Sequence, residues 1–200
     1  MLIGIIGAAA VGQAVAGHAI KAGHQVIISN SRGPQTLGDV IAKLGDGARA
    51  GTKEEAAAAD IVLLAVPWIK LKEALGDLPD WNGRVLMDAT NHFITYAPDY
   101  RKDDLGDRTS SEIVAELAPG ARIVKAFNSM LATHIAADPT EPAGHRVLFI
   151  SGDDAEARKR VTELAESFGF APIELGDLAT GGKLQQLGGP LAGPNLLKLS

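Results

Sequence analysis

Two short stretches carry the chemistry most readily read from this chain. One is a small-residue turn, Gly7-Ala8-Ala9-Ala10-Val11-Gly12; the other is Asn30-Ser31-Arg32. Arg32 is always charged and its planar guanidinium can grip a phosphate through two parallel hydrogen bonds. Ser31 adds a hydroxyl. In the turn, Gly7 stands where a backbone bends tightly, and Gly12 where a helix packs closely on a strand. Ala9 stands where a second glycine would let a pyrophosphate approach. Its methyl is expected to push that group outward a little or to make the turn adjust.

These residues need elements that hold them. An apolar strand from Leu2 to Ile6 precedes the turn, and a helix-like stretch to Ala22 follows it. A second apolar strand, Gln25 to Ser29, leads into Asn30. Together they form a βαβ unit of about thirty residues, the context that gives a glycine turn its meaning. An acidic residue at the end of the second strand would accept from a ribose 2′-hydroxyl. Ser31 and Arg32 suit a 2′-phosphate instead, so the expected cofactor is NADP rather than NAD. The residues expected to hold it here are Gly7, Ala9, Ala10, Val11, Gly12, Asn30, Ser31 and Arg32.

Strand and helix patterns alternate through the rest of the 200 residues. Gln35 to Leu44 reads as a short helix and Ala48-Arg49-Ala50 as a strand. Thr52 with Glu55, and Thr109 with Glu112, are capping boxes that open helices. The continuous apolar run Ile61 to Val66 suits a parallel strand buried on both faces, stopped by Pro67. A helix from Trp68 to Leu75 and strands at Arg84 to Asp88 and Arg122 to Ala126 follow. Asn91 to Asp107 reads as an irregular loop. A strand at Arg146 to Ser151, a helix over Asp153 to Phe168 started by Asp153 and Glu156, and a strand at Pro172 to Leu175 come next. A helix interrupted by Gly181-Gly182 spans Leu178 to Leu187. The fold class is α/β: a Rossmann-type, doubly wound, mostly parallel sheet with a small C-terminal α/β extension. The expected division is a nucleotide-binding domain over 1–128 and a smaller acceptor-binding or dimerisation unit over 129–200.

Composition narrows the partners. The net charge of −5 argues against nucleic acid. With no cysteine, disulfides, thiolate metal sites and thiol nucleophiles are excluded. No histidine has metal-ligand spacing with a second ligand, so no metal site is expected. No apolar run reaches membrane-spanning length, and no basic residue precedes the first apolar run, so a cytoplasmic location away from membranes is expected.

Taken over nearly the whole length, the chain resembles the NADP oxidoreductases dependent on coenzyme F420, a deazaflavin. The resemblance is carried by Ile3-Gly4-Ile5-Ile6-Gly7, Asn30-Ser31-Arg32-Gly33-Pro34, Ala65-Val66-Pro67-Trp68, Asp88-Ala89-Thr90-Asn91 and Val124-Lys125-Ala126-Phe127-Asn128. Gly152-Asp153-Asp154 and Gly189-Pro190-Leu191-Ala192-Gly193 extend it. It implies a homodimer that moves hydride between NADPH and a deazaflavin, or a related flavin, as co-substrate. It implies that Ser31 and Arg32 hold the 2′-phosphate and that Ala65, Val66, Pro67 and Trp68 border the cleft. Ala89 and Asn91 would lie near the nicotinamide. Departures from the deazaflavin pattern fall at Asn128 and around Lys183, Gly188 and Gly189, on the acceptor side.

Hydride transfer between planar rings asks the protein for positioning and exclusion of water more than for acid–base work. The candidates for a catalytic role are Asn91, His92, Asn128 and His134. Trp68 either stacks on a ring or is a packed aromatic. Two other readings fit the residues: reduction of a small imine or carbonyl substrate, and a non-catalytic NADP sensor.

Overall fold

The computed structural model describes residues 1–199. In chain order the elements are β1 (Leu2–Ile6), α1 (Ala10–Lys21), β2 (Gln25–Ser29), α2 (Gly38–Leu44), β3 (Ala48–Ala50), α3 (Lys53–Ala57) and β4 (Ile61–Leu64). Then come α4 (Leu71–Leu75), β5 (Val85–Asp88), β6 (Phe93–Thr95), β7 (Arg101–Lys102), α5 (Ser110–Leu117) and β8 (Arg122–Lys125). The chain continues with α6 (Ala132–Ala136), β9 (Thr140–Glu141), β10 (Gly144–Gly152), α7 (Ala155–Ser167), β11 (Ala171–Glu174), α8 (Gly181–Gln185) and β12 (Leu197–Leu199).

The main sheet runs β11-β10-β8-β5-β4-β1-β2-β3. Every pair from β8 to β3 is parallel, as right-handed βαβ crossovers require. β10 turns antiparallel against β8, at Ser151 opposite Lys125, and β11 lies parallel to β10. The C-terminal extension therefore widens the same sheet. Both sheet faces are covered, so β1 and β4 at the centre are apolar at every position. Ile3, Ile5, Ile61 and Leu63 face one core with Val15 of α1; Ile6, Val62 and Leu64 face the other with Val114 of α5. Where α3 crosses β1 the approach is so close that a Cβ on Gly4 would sit 1.8 Å from the Ala56 carbonyl oxygen.

Both capping boxes form, each with the threonine accepting from the glutamate backbone N–H. Several local expectations change. Residues 91–107 are not wholly irregular: β6 and β7 make a small hairpin over which Phe93 packs on Tyr96 and Tyr100, ring centroids 5.4 and 5.6 Å apart. Strands this short leave too little alternation to read. The short α6 packs on α1 and is also below the length at which helical periodicity shows. The cap of α7 is Asp154, whose carboxylate accepts from Ala157 N at 2.7 Å. Asp153 instead accepts from Leu178 N at 2.9 Å and pins the segment leading to α8. The expected helix over Leu178 to Leu187 starts only at Gly181, whose missing side chain leaves room for the Leu175 carbonyl. Helices α2 and α4 are each preceded by a 3-10 turn, at Pro34–Thr36 and Trp68–Lys70. Among the described residues no helix is long and apolar enough to cross a membrane, and no group of His, Asp and Glu side chains is placed to hold a metal ion.

Candidate functional site

The strand order reverses beside β1: β2 and β3 lie on one side, β4, β5 and β8 on the other. In open α/β sheets ligands bind outside the carboxyl ends of the strands at this reversal. The turn from β1 into α1 opens onto it. Gly7 has φ +116°, and a Cβ there would lie 2.2 Å from the Ala65 carbonyl oxygen. A Cβ on Gly12 would lie 2.0 Å from the carbonyl oxygen of Gly7. Neither position tolerates a side chain. Ala9 is different. Its φ of −83° and ψ of −170° are open to any residue, so its methyl demands no adjustment of the turn. No side chain caps α1, and Ala9 and Ala10 are exposed. The first N–H groups of this helix and its positive dipole end thus face the reversal, a ready anion site.

On the β2 side, Asn30 organises the loop. Its Oδ1 accepts from Arg32 N at 2.9 Å and its Nδ2 donates to Thr36 Oγ1 at 2.9 Å. Gln35 Nε2 donates to the Arg32 carbonyl at 3.0 Å. The backbone of Arg32 is fixed while its side chain and that of Ser31 stay exposed. Among the described residues, no carboxylate forms an ion pair with Arg32.

On the β4 side, Ala65 and Val66 are half-buried and Pro67 is exposed. Trp68 is turned into the protein, and the packed alternative describes it. Its Nε1 donates to Asp103 Oδ2 at 2.8 Å, and its ring meets His92 edge-on at 6.1 Å. Ala89 continues β5 by donating to the Leu64 carbonyl at 3.0 Å.

Beneath Asn91 and Asn128 lies a buried ion pair that sequence reasoning missed. Asp88 and Lys125 face each other across β5 and β8, both 0% exposed, with Nζ 3.0 Å from Oδ2. Asp88 also accepts from Ser111 Oγ at 2.5 Å and from Thr90 N and Oγ1 at 2.8 and 2.6 Å. Lys125 further donates to Ser110 Oγ at 3.0 Å and the Thr90 carbonyl at 3.2 Å. Burial pushes the Asp88 carboxyl upward, but the Lys125 charge and the hydrogen bonds from Ser111 and Thr90 outweigh it and hold it below the usual carboxylate range. A charged residue inside each of two apolar strands, at the same distance from their ends, was the available signal.

The ends of these strands are tied together. Asn91 Nδ2 donates to the Asn128 carbonyl at 2.9 Å. Asn128 Nδ2 donates to the Gln185 carbonyl at 2.7 Å and reaches Asn91 Oδ1 at 3.4 Å. Gln185, fully buried and also not anticipated, donates from Nε2 to Asn128 Oδ1 at 3.2 Å and to the Lys125 carbonyl at 2.9 Å. The Asn128 amide is thereby occupied by protein. Asn91, half-buried, keeps one N–H and one lone pair free.

His92 is 4% exposed, and among the described residues its Nδ1 has no hydrogen-bond partner. Burial first, then the charges of Lys125 and Lys102, depress its pKa against the opposing pull of Asp103. It is therefore neutral near pH 7. Because its folded value lies below the unfolded one of about 6.5, its contribution to stability is complete above that pH and lost as pH falls through the folded value. An NMR titration should find the His92 imidazole titrating below its ordinary value; a value at or above it would refute the assignment. His134 stands on α6, which packs along α1, and makes no hydrogen bond to the Asn91–Asn128 cluster. His18, on α1, is structural: its Nε2 meets the Ile135 carbonyl at 2.5 Å between Phe168 and Phe170.

Comparison with known proteins follows the same lines. Metalloreductase STEAP3 of Rattus norvegicus is 29% identical over 92% of this chain, which spans only 36% of that relative's length. A crystal structure of the hypothetical protein SMa0349 from Sinorhizobium meliloti is 45% identical, covering 99% of this chain and 96% of the other, with a TM-score of 0.92. The structure of a proposed F420-dependent NADP-reductase from Arthrobacter sp. fb24 is 23% identical over 88% of this chain and 85% of its own, with a TM-score of 0.72, a likeness of fold. Residues 2–92, which hold the glycine turn, the Arg32 loop and the β4 and β5 ends, match the sequence model described as NADP oxidoreductase coenzyme F420-dependent.

Proposed function

We propose that the crevice binds NADPH and that the protein transfers hydride between this cofactor and a deazaflavin of the coenzyme F420 type or a related flavin. The observation that carries the reading is the loop after β2: an exposed guanidinium and hydroxyl, with the backbone set by Asn30 and no carboxylate paired to the arginine. The match of residues 2–92 to the sequence model of F420-dependent NADP oxidoreductases supports it. Arg32 and Ser31 would hold the 2′-phosphate, and the open N-terminus of α1 the pyrophosphate. Ala65 to Pro67, Ala89 and Asn91 would border the nicotinamide half. When bound, NADPH supplies the hydride; the protein's task is to hold two rings in register and keep water out. The neutral His92 suits such a site because it adds no charge beside a ring whose own charge changes during transfer.

The test is to supply purified protein and NADPH with a deazaflavin, FMN and a quinone in parallel and follow nicotinamide absorbance. Consumption with the deazaflavin is expected. Consumption with FMN alone would replace the deazaflavin by a free flavin. NADPH that binds but is oxidised by none of the three would overturn the flavin-type acceptor.

A further inference from the structure

Three side-chain amides stand in line across the carboxyl ends of β5 and β8 and the end of α8. Each is oriented by the next. Gln185 is held first: the Lys125 carbonyl can only accept, so Nε2 faces it and Asn128 Oδ1, and Oε1 is left to accept from Ser151 Oγ at 3.0 Å. Asn128 is then forced to turn its Nδ2 toward the Gln185 carbonyl and Asn91 Oδ1. That in turn leaves the Asn128 backbone carbonyl to receive Asn91 Nδ2. Reversing any one amide would set N–H against N–H or oxygen against oxygen in a buried place, where an unmade bond is costly.

The backbone reinforces the arrangement. Phe127, 1% exposed and edge-on to Phe170 at 5.8 Å, has φ +62°, a conformation unfavourable for a large side chain. It bends the chain directly after β8, so that the next residue, Asn128, meets both α8 and Asn91. The outcome at the crevice is an Asn91 amide of fixed direction with one N–H and one lone pair left over. That is the complement of a primary carboxamide, which offers one carbonyl oxygen and one N–H in the same plane.

On the reading that NADPH occupies this crevice, we infer that Gln185 and Asn128 are positioning residues that fix the direction of the Asn91 amide so that it reads the carboxamide of the nicotinamide ring. The C-terminal segment thereby governs how the ring is held, although it lies outside the βαβ unit that grips the phosphates.

The test compares binding of NADPH with that of its reduced 3-acetylpyridine analogue, which keeps the carbonyl and lacks the amide N–H. It uses the full-length protein and fluorescence titration, with thermal melts to establish folding. The wild type should prefer NADPH by about tenfold, the worth of one hydrogen bond. Gln185→Met, of similar volume, should bring that preference to within about twofold, because an undirected Asn91 can turn to suit either group. The ratio of NADPH to NADH affinity, set at Arg32, should not move. Asn128→Ala keeps the backbone carbonyl that receives Asn91 Nδ2 but removes the amide that Gln185 steers and that reaches Asn91 Oδ1, and should do the same if the first variant fails to fold. An unchanged preference in either folded variant, or no preference in the wild type, overturns the inference while leaving NADPH binding intact. A wild type that binds no NADPH would instead sink the preceding reading.

Discussion

Replacing Arg32 by alanine should weaken NADPH binding by about ten- to a hundredfold, the range for losing hydrogen bonds to a charged group. NADH, with no 2′-phosphate, should bind the variant nearly as it binds the wild type. The physical reason lies in how the loop is built. Asn30 and Gln35 hold the backbone around Arg32 through bonds that do not involve its guanidinium, so truncation removes the charge without unmaking the turn. No carboxylate is paired with that side chain among the described residues, so no buried partner is stranded. Arg32→Lys should recover only part of the loss, because an ammonium cannot make the two parallel bonds of a guanidinium. Titration with both dinucleotides at two salt concentrations is the measurement. Equal loss for NADPH and NADH would show that Arg32 shapes the crevice and does not read the phosphate.

The largest effect on stability is expected at Asp88. Asp88→Ala would leave the Lys125 ammonium buried and without a counter-charge, at a cost of about 3–5 kcal/mol. Replacing the pair together, Asp88→Leu with Lys125→Met, should cost much less than the single change, since an apolar pair avoids desolvating two charges. Urea unfolding of the three variants decides this; a double variant as unstable as Asp88→Ala would show that shape, not charge, dominates. The pair also sets an acid limit. The folded Asp88 pKa is depressed below the unfolded value of about 3.9. Its contribution is therefore complete above that pH and is lost as pH falls through the folded value. Asp88→Asn should flatten that part of the stability profile.

Most of the frame could be read from the chain because it rests on local rules. Apolar runs bounded by glycine and proline gave β1, β2, β4 and β5, and the capping boxes gave the starts of α3 and α5. Gly7 and Gly12 could be identified because backbone crowding demands them. The acceptor side was less legible for a different reason. Lys125 stood in the motif that carried the family resemblance, yet its meaning depends on Asp88, 37 residues earlier, which only strand pairing brings opposite. Gln185 resembles any polar residue of a short helix until α8 is seen seated over Asn128. Trp68 could equally have faced the crevice; Asp103, on the far arm of an unanticipated hairpin, draws its indole inward.

The two borders of the main sheet carry one further consequence. β3 is only three residues long, with Arg49 at its centre. At the opposite border, Leu175 N points inward to the Ile150 carbonyl, so by alternation Pro172 in β11 turns its hydrogen-free nitrogen to the open side. A foreign strand would find a charge at one margin and a missing donor at the other. These two margins, in a protein rich in apolar strands, are poor templates for a further strand.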